Sequence, residues 1–229
     1  IYIPTFNRYE KLKNCLDIIS REIIGFEDKV LVYVSNNGSP DGTREYLQSL
    51  DYEWLHIRHN KENVGAALNV LHCFDLPIKS EFIWLVGDDD YLTPKSISGI
   101  LSLIKEYPAA DYIFCNTKAF PKQDSDEIMK NYFATGSVNG GTVKSRGYTG
   151  TALFDFEKLI DPGVADTLLG ELMVHCFRQS RVRLDTHDAI NFNVDTVNWD
   201  SIDFETAGKL NVPHTLPFLS SFNGKTKAV

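Results

Sequence analysis

The first half of the chain alternates short runs of apolar and β-branched residues with segments whose apolar residues recur every three or four positions. This alternation predicts parallel strands that are connected and covered by helices. The apolar runs are the strand candidates 1–3, 29–34, 54–58, 81–86 and 111–115. They lack regular polar alternation, as expected of strands that are buried on both faces. We therefore predict an α/β domain with a mostly parallel sheet flanked by helices.

Apolar residues at helical spacing predict the helices between these strands. Three are expected over 12–23, 64–74 and 97–104, and a shorter one follows Pro40 and runs to Leu50. We expect a few residues to precede Ile1, because the chain opens within an apparent strand.

The second half is less regular. Residues 121–150 are polar and contain several glycines, which predicts a long mobile loop that could act as a lid. One more amphipathic helix is predicted over 167–177, and 185–229 shows only weak periodicity. We expect the chain to end in a C-terminal extension.

Charge and hydropathy exclude some functions. A net charge of -8 and a pI near 5.2 are the opposite of what nucleic-acid binding requires. Apolar stretches are far shorter than the roughly 20 residues that cross a bilayer, so we expect at most peripheral membrane contact. The four cysteines form no Cys-x-x-Cys pair and lie in apolar runs, which favours a reducing cytoplasm.

Polar segments directly follow the first four predicted strands. They span residues 4–8, 35–43, 60–65 and 87–94. Because open α/β sheets bind ligands at the carboxyl ends of their strands, these segments predict one binding site.

Three consecutive carboxylates, Asp88, Asp89 and Asp90, follow the apolar strand candidate 81–86. They would repel one another in a partly desolvated site unless a cation shared them. Hard oxygen ligands favour Mg²⁺ or Mn²⁺, which usually take one or two carboxylates together with water and phosphate oxygens. The alternative is a solvated acidic turn that caps a helix, but the position at a strand end favours a metal.

The order of these segments resembles glycosyltransferase family 2, the inverting enzymes of GT-A, Rossmann-like fold that use nucleotide-sugar donors. The similarity covers about the first half of the chain and rests on residues 3–8, 36–43, 63–69 and 84–90. The last segment is similar to that of O-antigen-type sugar transferases of bacterial surface polysaccharides.

The resemblance implies how the chain is divided. Residues 1–116 would form the nucleotide-sugar-binding half of the domain. Residues 117–229, with the loop 121–150 and the C-terminal tail, would form the acceptor-side half of the same domain.

The resemblance also implies a set of donor-binding residues, namely Pro4, Thr5, Asn7, Arg8, Asn36, Asn63, Gly65, Asp88, Asp89 and Asp90. Some have simpler interpretations: Thr5 and Asn63 could cap helices, Arg8 could be solvated, and Gly65 could only pack.

Two positions depart from the family pattern. Asn36 stands where many members carry an aspartate that holds the nucleobase, so the base preference stays open. Counted back from Pro94, the Asp-x-Asp motif falls on residues 87–89, and Gly87 replaces its first aspartate. In this register Asp89 is the metal ligand, Asp88 contacts ribose or diphosphate, and Asp90 lies behind them.

An inverting transfer needs a base that takes the proton of the acceptor hydroxyl. Asp166, at the start of the helix predicted over 167–177, is the first candidate, and Glu171 is the second. Asp166 could instead be an ordinary N-cap of this helix.

The sequence thus predicts a metal-dependent, inverting glycosyltransferase that transfers sugar from a nucleotide-sugar to a saccharide or lipid-linked saccharide. The resemblance implies cell-envelope polysaccharide assembly in the cytoplasm, at the inner face of the membrane. The alternative is a noncatalytic nucleotide-sugar or glycan-binding module with a degenerate site. A sugar-nucleotide pyrophosphorylase is less favoured, because no glycine-rich basic loop lies near the start.

Overall fold

The N-terminal part of the protein alternates strands with helices. The structure is a computed structural model, and it describes residues 1–121, 125–145, 150–160, 173–181 and 226–229. The first six elements are β1 (Tyr2–Thr5), α1 (Tyr9–Glu22), β2 (Val32–Asn36), α2 (Thr43–Ser49), β3 (Leu55–His59) and α3 (Ala66–Leu71).

The later elements are shorter and less regularly ordered. They are β4 (Phe82–Trp84), α4 (Ser96–Glu106), β5 (Tyr112–Phe114), β6 (Lys118–Ala119), α5 (Ser125–Thr135), β7 (Thr142–Val143), β8 (Phe154–Asp155), β9 (His175–Arg178) and β10 (Lys227–Ala228).

The central sheet has a parallel part and a mixed part. In the parallel part β2 lies between β1 and β3. The mixed part has the order β4-β9-β5-β10-β8, with β9 antiparallel to β4 and β5. A parallel bridge between Tyr2 and Leu85 connects the two parts. The α/β class is confirmed, but the sheet is mostly parallel only in its N-terminal part.

Residues 121–150 are not the continuous loop that their composition predicts. The helix α5 occupies 125–135, and Met129 and Tyr132 are buried in the main hydrophobic core. The Arg21 guanidinium lies 4.4 Å from the centre of the Phe133 ring, which joins α5 to α1. A few apolar residues at helical spacing therefore form a helix despite the polar composition around them.

The helix predicted over 167–177 is wrong at its C-terminal end. Residues 161–172 lie outside the described part of the chain, whereas His175–Arg178 form the strand β9. This strand lies between β4 and β5, and its first three residues are buried. A strand buried on both faces shows no polar alternation, so its apolar residues fitted a helical period equally well.

The hydrophobic core fixes the edge of the sheet at which β1, β2 and β4 end. Leu12, Cys15 and Ile19 of α1 are buried in the same cluster as Ile3 and Val34. Because β1 and β2 are parallel, and β4 continues into a parallel bridge with β1, their carboxyl ends meet at one edge.

Among the described helices, none is both long enough and apolar enough to cross a membrane.

Candidate active site

A cavity of about 470 Å³ lies at the carboxyl ends of β1, β2 and β4. This volume is within the range of roughly 300 to 1,000 Å³ that is typical of small-ligand sites. The cavity is lined by Pro4, Thr5, Phe6, Arg8, Asn37, Ala66, Asn69, Val70, Gly87, Asp88, Asp89 and Asp90. The structure therefore brings the loops after β1 and β4 together, as the sequence predicts.

Asp88 connects these two loops from a buried position. Asp88 is only 3% exposed, and its Oδ2 accepts a hydrogen bond from the Thr5 hydroxyl at 2.7 Å. Its Oδ1 accepts one from Nη1 of Arg8 at 2.9 Å. Burial raises the pKa of Asp88, and the bonds from Thr5 and Arg8 oppose this shift only in part. Both carboxylate oxygens of Asp88 therefore bond to the loop and helix start that follow β1.

Asp89 lies at the mouth of the cavity, with 41% of its side chain exposed. Its Oδ2 is 2.9 Å from Nζ of Lys11 and 3.2 Å from Nη1 of Arg8. These two side chains supply the positive charge that three adjacent carboxylates require. Sequence reasoning missed Lys11, although its position three residues after Arg8 at the start of α1 places the two on one side of the helix.

Asp90 folds back towards Gly87, the residue predicted to replace the first aspartate of the family motif. The backbone N–H of Gly87 donates to Asp90 Oδ2 at 3.2 Å. A Cβ atom at position 87 would lie only 2.6 Å from that same oxygen. A larger residue at position 87 therefore requires the Asp90 carboxylate to move.

A buried asparagine network forms the side of the cavity nearest β2. Asn37 Oδ1 accepts hydrogen bonds from Nδ2 of Asn60 and the backbone N–H of Val64, both at 3.0 Å. Asn37 Nδ2 donates to Asn63 Oδ1 at 2.8 Å and to the Gly65 carbonyl at 3.2 Å. The side chain of Asn37 thus holds the loop after β3 against the end of β2. The family pattern pointed to its neighbour Asn36 instead, which stands where many members carry an aspartate.

The start of α3 is attached to β2 in a similar way. Asn69 Nδ2 donates to the Ser35 carbonyl at 3.0 Å, and the Ser35 hydroxyl donates to Asn69 Oδ1 at 2.7 Å. The Tyr2 hydroxyl donates to the Asn69 carbonyl. The helix that borders the cavity is therefore fixed to two strands by buried hydrogen bonds.

The four remaining predicted donor residues do not line the cavity: Asn7, Asn36, Asn63 and Gly65. Gly65 has φ +87, a left-handed conformation that favours glycine, and directly precedes α3. Asn63 Oδ1 also accepts the N–H of Gly65 at 2.9 Å, so it stabilises this turn. The backbone N–H of Asn7 donates to the Ser39 hydroxyl at 2.9 Å, which links the loops after β1 and β2.

Asn36 is fully buried and both ends of its amide have partners in the protein. Its Oδ1 accepts the backbone N–H of Ser39 at 3.0 Å, and its Nδ2 lies 3.2 Å from Nδ1 of His59. Burial lowers the pKa of His59, and the positive charge of Arg44 lowers it further. The imidazole is therefore neutral, and its Nδ1 accepts the hydrogen bond from Asn36. A contact between Asn36 and a nucleobase stays a prediction.

The base candidates Asp166 and Glu171 lie outside the described residues. Within the part of the chain that the structure describes, no group of three His, Cys, Asp or Glu side chains is arranged to hold a metal ion.

An open sheet with a cavity at its carboxyl edge, here lined by three aspartates and an arginine, is typical of α/β proteins that bind small ligands at the strand ends. The sequence model described as Glycosyl transferase family 2 matches residues 1–162. The chain therefore belongs to glycosyltransferase family 2. Among curated protein sequences, none matches it significantly.

Solved structures of GT-A glycosyltransferases share the fold. The chain is similar to S. aureus TarS 1-349, with a TM-score of 0.61 and 13% identity over 100% of this chain and 56% of that chain. For TarS 1-349 in complex with UDP-GlcNAc the TM-score is 0.56 and the identity is 14%, over 79% of this chain and 45% of that chain. The mannosyltransferase PcManGT from Pyrobaculum calidifontis was solved in complex with GDP-Man and Mn²⁺. For this structure the TM-score is 0.53 and the identity is 14%, over 100% of this chain and 52% of that chain. The chain thus spans about half the length of these structures.

Proposed function

We propose that the chain is the donor-binding part of an inverting, metal-dependent glycosyltransferase that transfers a sugar from a nucleotide-sugar to an acceptor hydroxyl. The observation that carries the proposal is the cavity in which Thr5, Arg8 and Asp88 form one hydrogen-bonded cluster at the strand ends. Family membership favours a transferase, and structurally similar proteins were solved with UDP-GlcNAc and with GDP-Man.

The residues of this edge fit Mg²⁺ or Mn²⁺. The side chain of Asp89 is 41% exposed and therefore accessible, and hard carboxylate oxygens suit these ions. We propose Asp89 as the metal ligand, with water and donor phosphate oxygens as the remaining ligands. A bound Mg²⁺ or Mn²⁺ would neutralise charge on the diphosphate leaving group.

The chain's own residues have distinct proposed roles. Arg8 is fixed by Asp88 and half exposed, so its guanidinium is positioned to bind a phosphate oxygen. In an inverting step the acceptor oxygen bonds to the anomeric carbon as the bond to the diphosphate breaks, and a base takes the hydroxyl proton. Asp166 is the proposed base and Glu171 the second candidate.

The family resemblance extends the proposal to the cellular role. The acceptor would be a saccharide or a lipid-linked saccharide in cell-envelope polysaccharide assembly. The enzyme would act in the cytoplasm at the inner face of the membrane, with at most peripheral contact.

Thermal unfolding with a panel of nucleoside diphosphates, with and without Mn²⁺, tests the donor site. Ligand at 100 times its Kd adds about 2.7 kcal/mol to the free energy of unfolding, which raises the Tm of a chain of this size by about 5 to 10 °C. We expect one nucleotide to give a Mn²⁺-dependent shift that Asp89→Ala abolishes. The control Asp28→Ala removes an exposed carboxylate elsewhere on the surface and should keep the shift.

The outcomes separate the proposal from its alternatives. No shift with any nucleotide, or a full Mn²⁺-dependent shift in Asp89→Ala, would contradict the proposed site. Slow hydrolysis of the matching nucleotide-sugar, followed by proton NMR, should release sugar of inverted anomeric configuration. Nucleotide binding without turnover of any nucleotide-sugar would instead favour the noncatalytic binding module.

A further inference from the structure

Lys11 is a charged residue at the cavity mouth that the proposed donor site does not include. It lies in the first turn of α1, and its side chain is 52% exposed. Its Nζ is 2.9 Å from Oδ2 of Asp89, the oxygen proposed to bind the metal. Lys11 therefore occupies the space next to Asp89 that a divalent cation would take.

We propose that Lys11 and the divalent cation exchange at Asp89, so that the metal and the nucleoside diphosphate bind with positive coupling. In the ligand-free protein Lys11 shares the Oδ2 atom of Asp89 with Arg8. When the cation binds Asp89, the displaced ammonium group pairs with the donor's diphosphate. This inference rests on the proposed function and adds to it a residue that sets the order and strength of donor binding.

The physical reason is that an ammonium group and a divalent cation repel each other when both lie next to one carboxylate oxygen. A metal ion that binds without nucleotide therefore leaves the Lys11 charge unpaired. A diphosphate provides a new partner, so each ligand favours the binding of the other. Thermodynamic linkage requires this effect to be equal in both directions.

Lys11 is the mobile member of the cation pair and Arg8 is the fixed one. Nη1 of Arg8 also bonds to Oδ1 of the buried Asp88 at 2.9 Å, which holds the guanidinium in place. Lys11 forms an ion pair with Asp89, whose side chain is 41% exposed. A flexible, half-exposed lysine moves between partners at little cost, because solvent screens both of its ion pairs.

Mn²⁺ titrations measured by electron paramagnetic resonance test this exchange in the wild type, Lys11→Met and Lys13→Met. Lys13 is exposed on the same helix, so Lys13→Met makes the same change of charge away from Asp89. For Mn²⁺ alone, we expect Lys11→Met to lower the Kd about 10-fold, a typical size for coupling between two ligands. Lys13→Met should change it by less than about 2-fold.

Calorimetry of nucleoside diphosphate binding completes the cycle, using the nucleotide that gives the largest thermal shift. With saturating Mn²⁺, its Kd should rise about 10-fold in Lys11→Met, and without Mn²⁺ it should stay the same within about 2-fold. Lys11→Arg keeps a cation at this position and should retain most of the coupling.

The results distinguish failure of this inference from failure of the proposed function. If wild-type protein binds nucleotide in a Mn²⁺-dependent way but Lys11→Met behaves like Lys13→Met, only the exchange is overturned. If the wild type binds no nucleoside diphosphate in the panel, both are overturned. Equal Mn²⁺ Kd values in wild type and Lys11→Met, with unchanged melting temperatures, also overturn the exchange.

Discussion

Two clusters of charged residues lie at opposite ends of the same strand and serve different purposes. The site cluster, formed by Arg8, Lys11, Asp88 and Asp89, follows the carboxyl end of β4. The Arg178 clamp is formed by Glu81, Asp111, Arg178 and Arg181. It lies at the start of β4, because Arg178 pairs with Phe82.

In the Arg178 clamp the hydrogen-bonding capacity of the arginine is used within the protein. Arg178 donates to Asp111 at 3.0 Å, to Glu81 at 2.6 Å, and to the carbonyls of Pro108 and Ala110 at 2.9 and 3.0 Å. Its guanidinium also lies 4.6 Å from the centre of the Phe82 ring. Only 18% of its side chain is exposed, so this cluster holds the sheet together.

The cations of the site cluster are far less enclosed. The side chains of Arg8 and Lys11 are 49% and 52% exposed, and they face carboxylates that line a cavity. Enclosure, more than charge, therefore distinguishes the structural cluster from the candidate binding site. A cation with exposed N–H groups above a buried acid can still accept an anionic ligand.

Replacing one arginine in each cluster gives the largest expected difference in stability. Arg178→Met removes one of the two guanidinium partners of Asp111 and leaves two backbone carbonyls without their guanidinium donor, which should cost about 3 kcal/mol in the free energy of unfolding. Arg8→Met should cost about 1 kcal/mol or less, because water from the cavity can replace the guanidinium. Urea unfolding at pH 7 measures both.

A larger loss in Arg8→Met than in Arg178→Met would contradict this distinction between the two clusters. Arg178→Lys serves as the control, since it retains one charge but cannot make four directed hydrogen bonds. It should recover only a small part of the loss.

The asparagine network tests the role of enclosure separately, because it borders the cavity but is enclosed like the Arg178 clamp. Asn37→Ala removes four hydrogen bonds from a residue that is 1% exposed and should cost about 2 kcal/mol. Asn63→Ala removes two hydrogen bonds from an exposed residue and should cost less than about 1 kcal/mol. Urea unfolding of both variants checks this, and equal losses would show that Asn37 has no special structural role.

The sequence predicted the parallel part of the fold and the position of the site for one physical reason. Local hydrophobic periods define the strands, and parallel connections require their carboxyl ends to share one edge. The positions of Thr5, Arg8 and Asp88 after the ends of two strands were therefore enough to predict that they lie close together. It did not show which side chain bonds to which, so the roles of Asn37 and Lys11 were missed.

The mixed part of the sheet was beyond local patterns. The strand β9 is inserted between β4 and β5 from far along the chain, and β10 follows from the last residues. Such pairings depend on long-range packing, which no short window of sequence contains. The same limit explains why Arg178, the centre of the clamp, gave no signal in the sequence.

The smallest predicted effect compares the pH dependence of two carboxylates near the site. Burial raises the pKa of Asp88 above 3.8, so its contribution to stability is lost as the pH rises through the raised pKa. Burial also acts to raise the pKa of Asp41, but hydrogen bonds from Thr43 and the Tyr9 N–H outweigh it and lower this pKa. The contribution of Asp41 is therefore present above pH 3.8 and is lost as the pH falls through the lowered pKa.

Urea unfolding of wild type, Asp88→Asn and Asp41→Asn between about pH 3 and pH 7 separates the two directions. The unfolding free energy of wild type minus that of Asp88→Asn should fall as the pH rises, whereas the corresponding difference for Asp41→Asn should rise. Each variant removes one titrating carboxyl group from the same edge of the sheet, so the other groups cancel in the differences. If both differences rise with pH, Asp88 is stabilised as an anion by Thr5 and Arg8. In that case the site cluster is as internally satisfied as the Arg178 clamp.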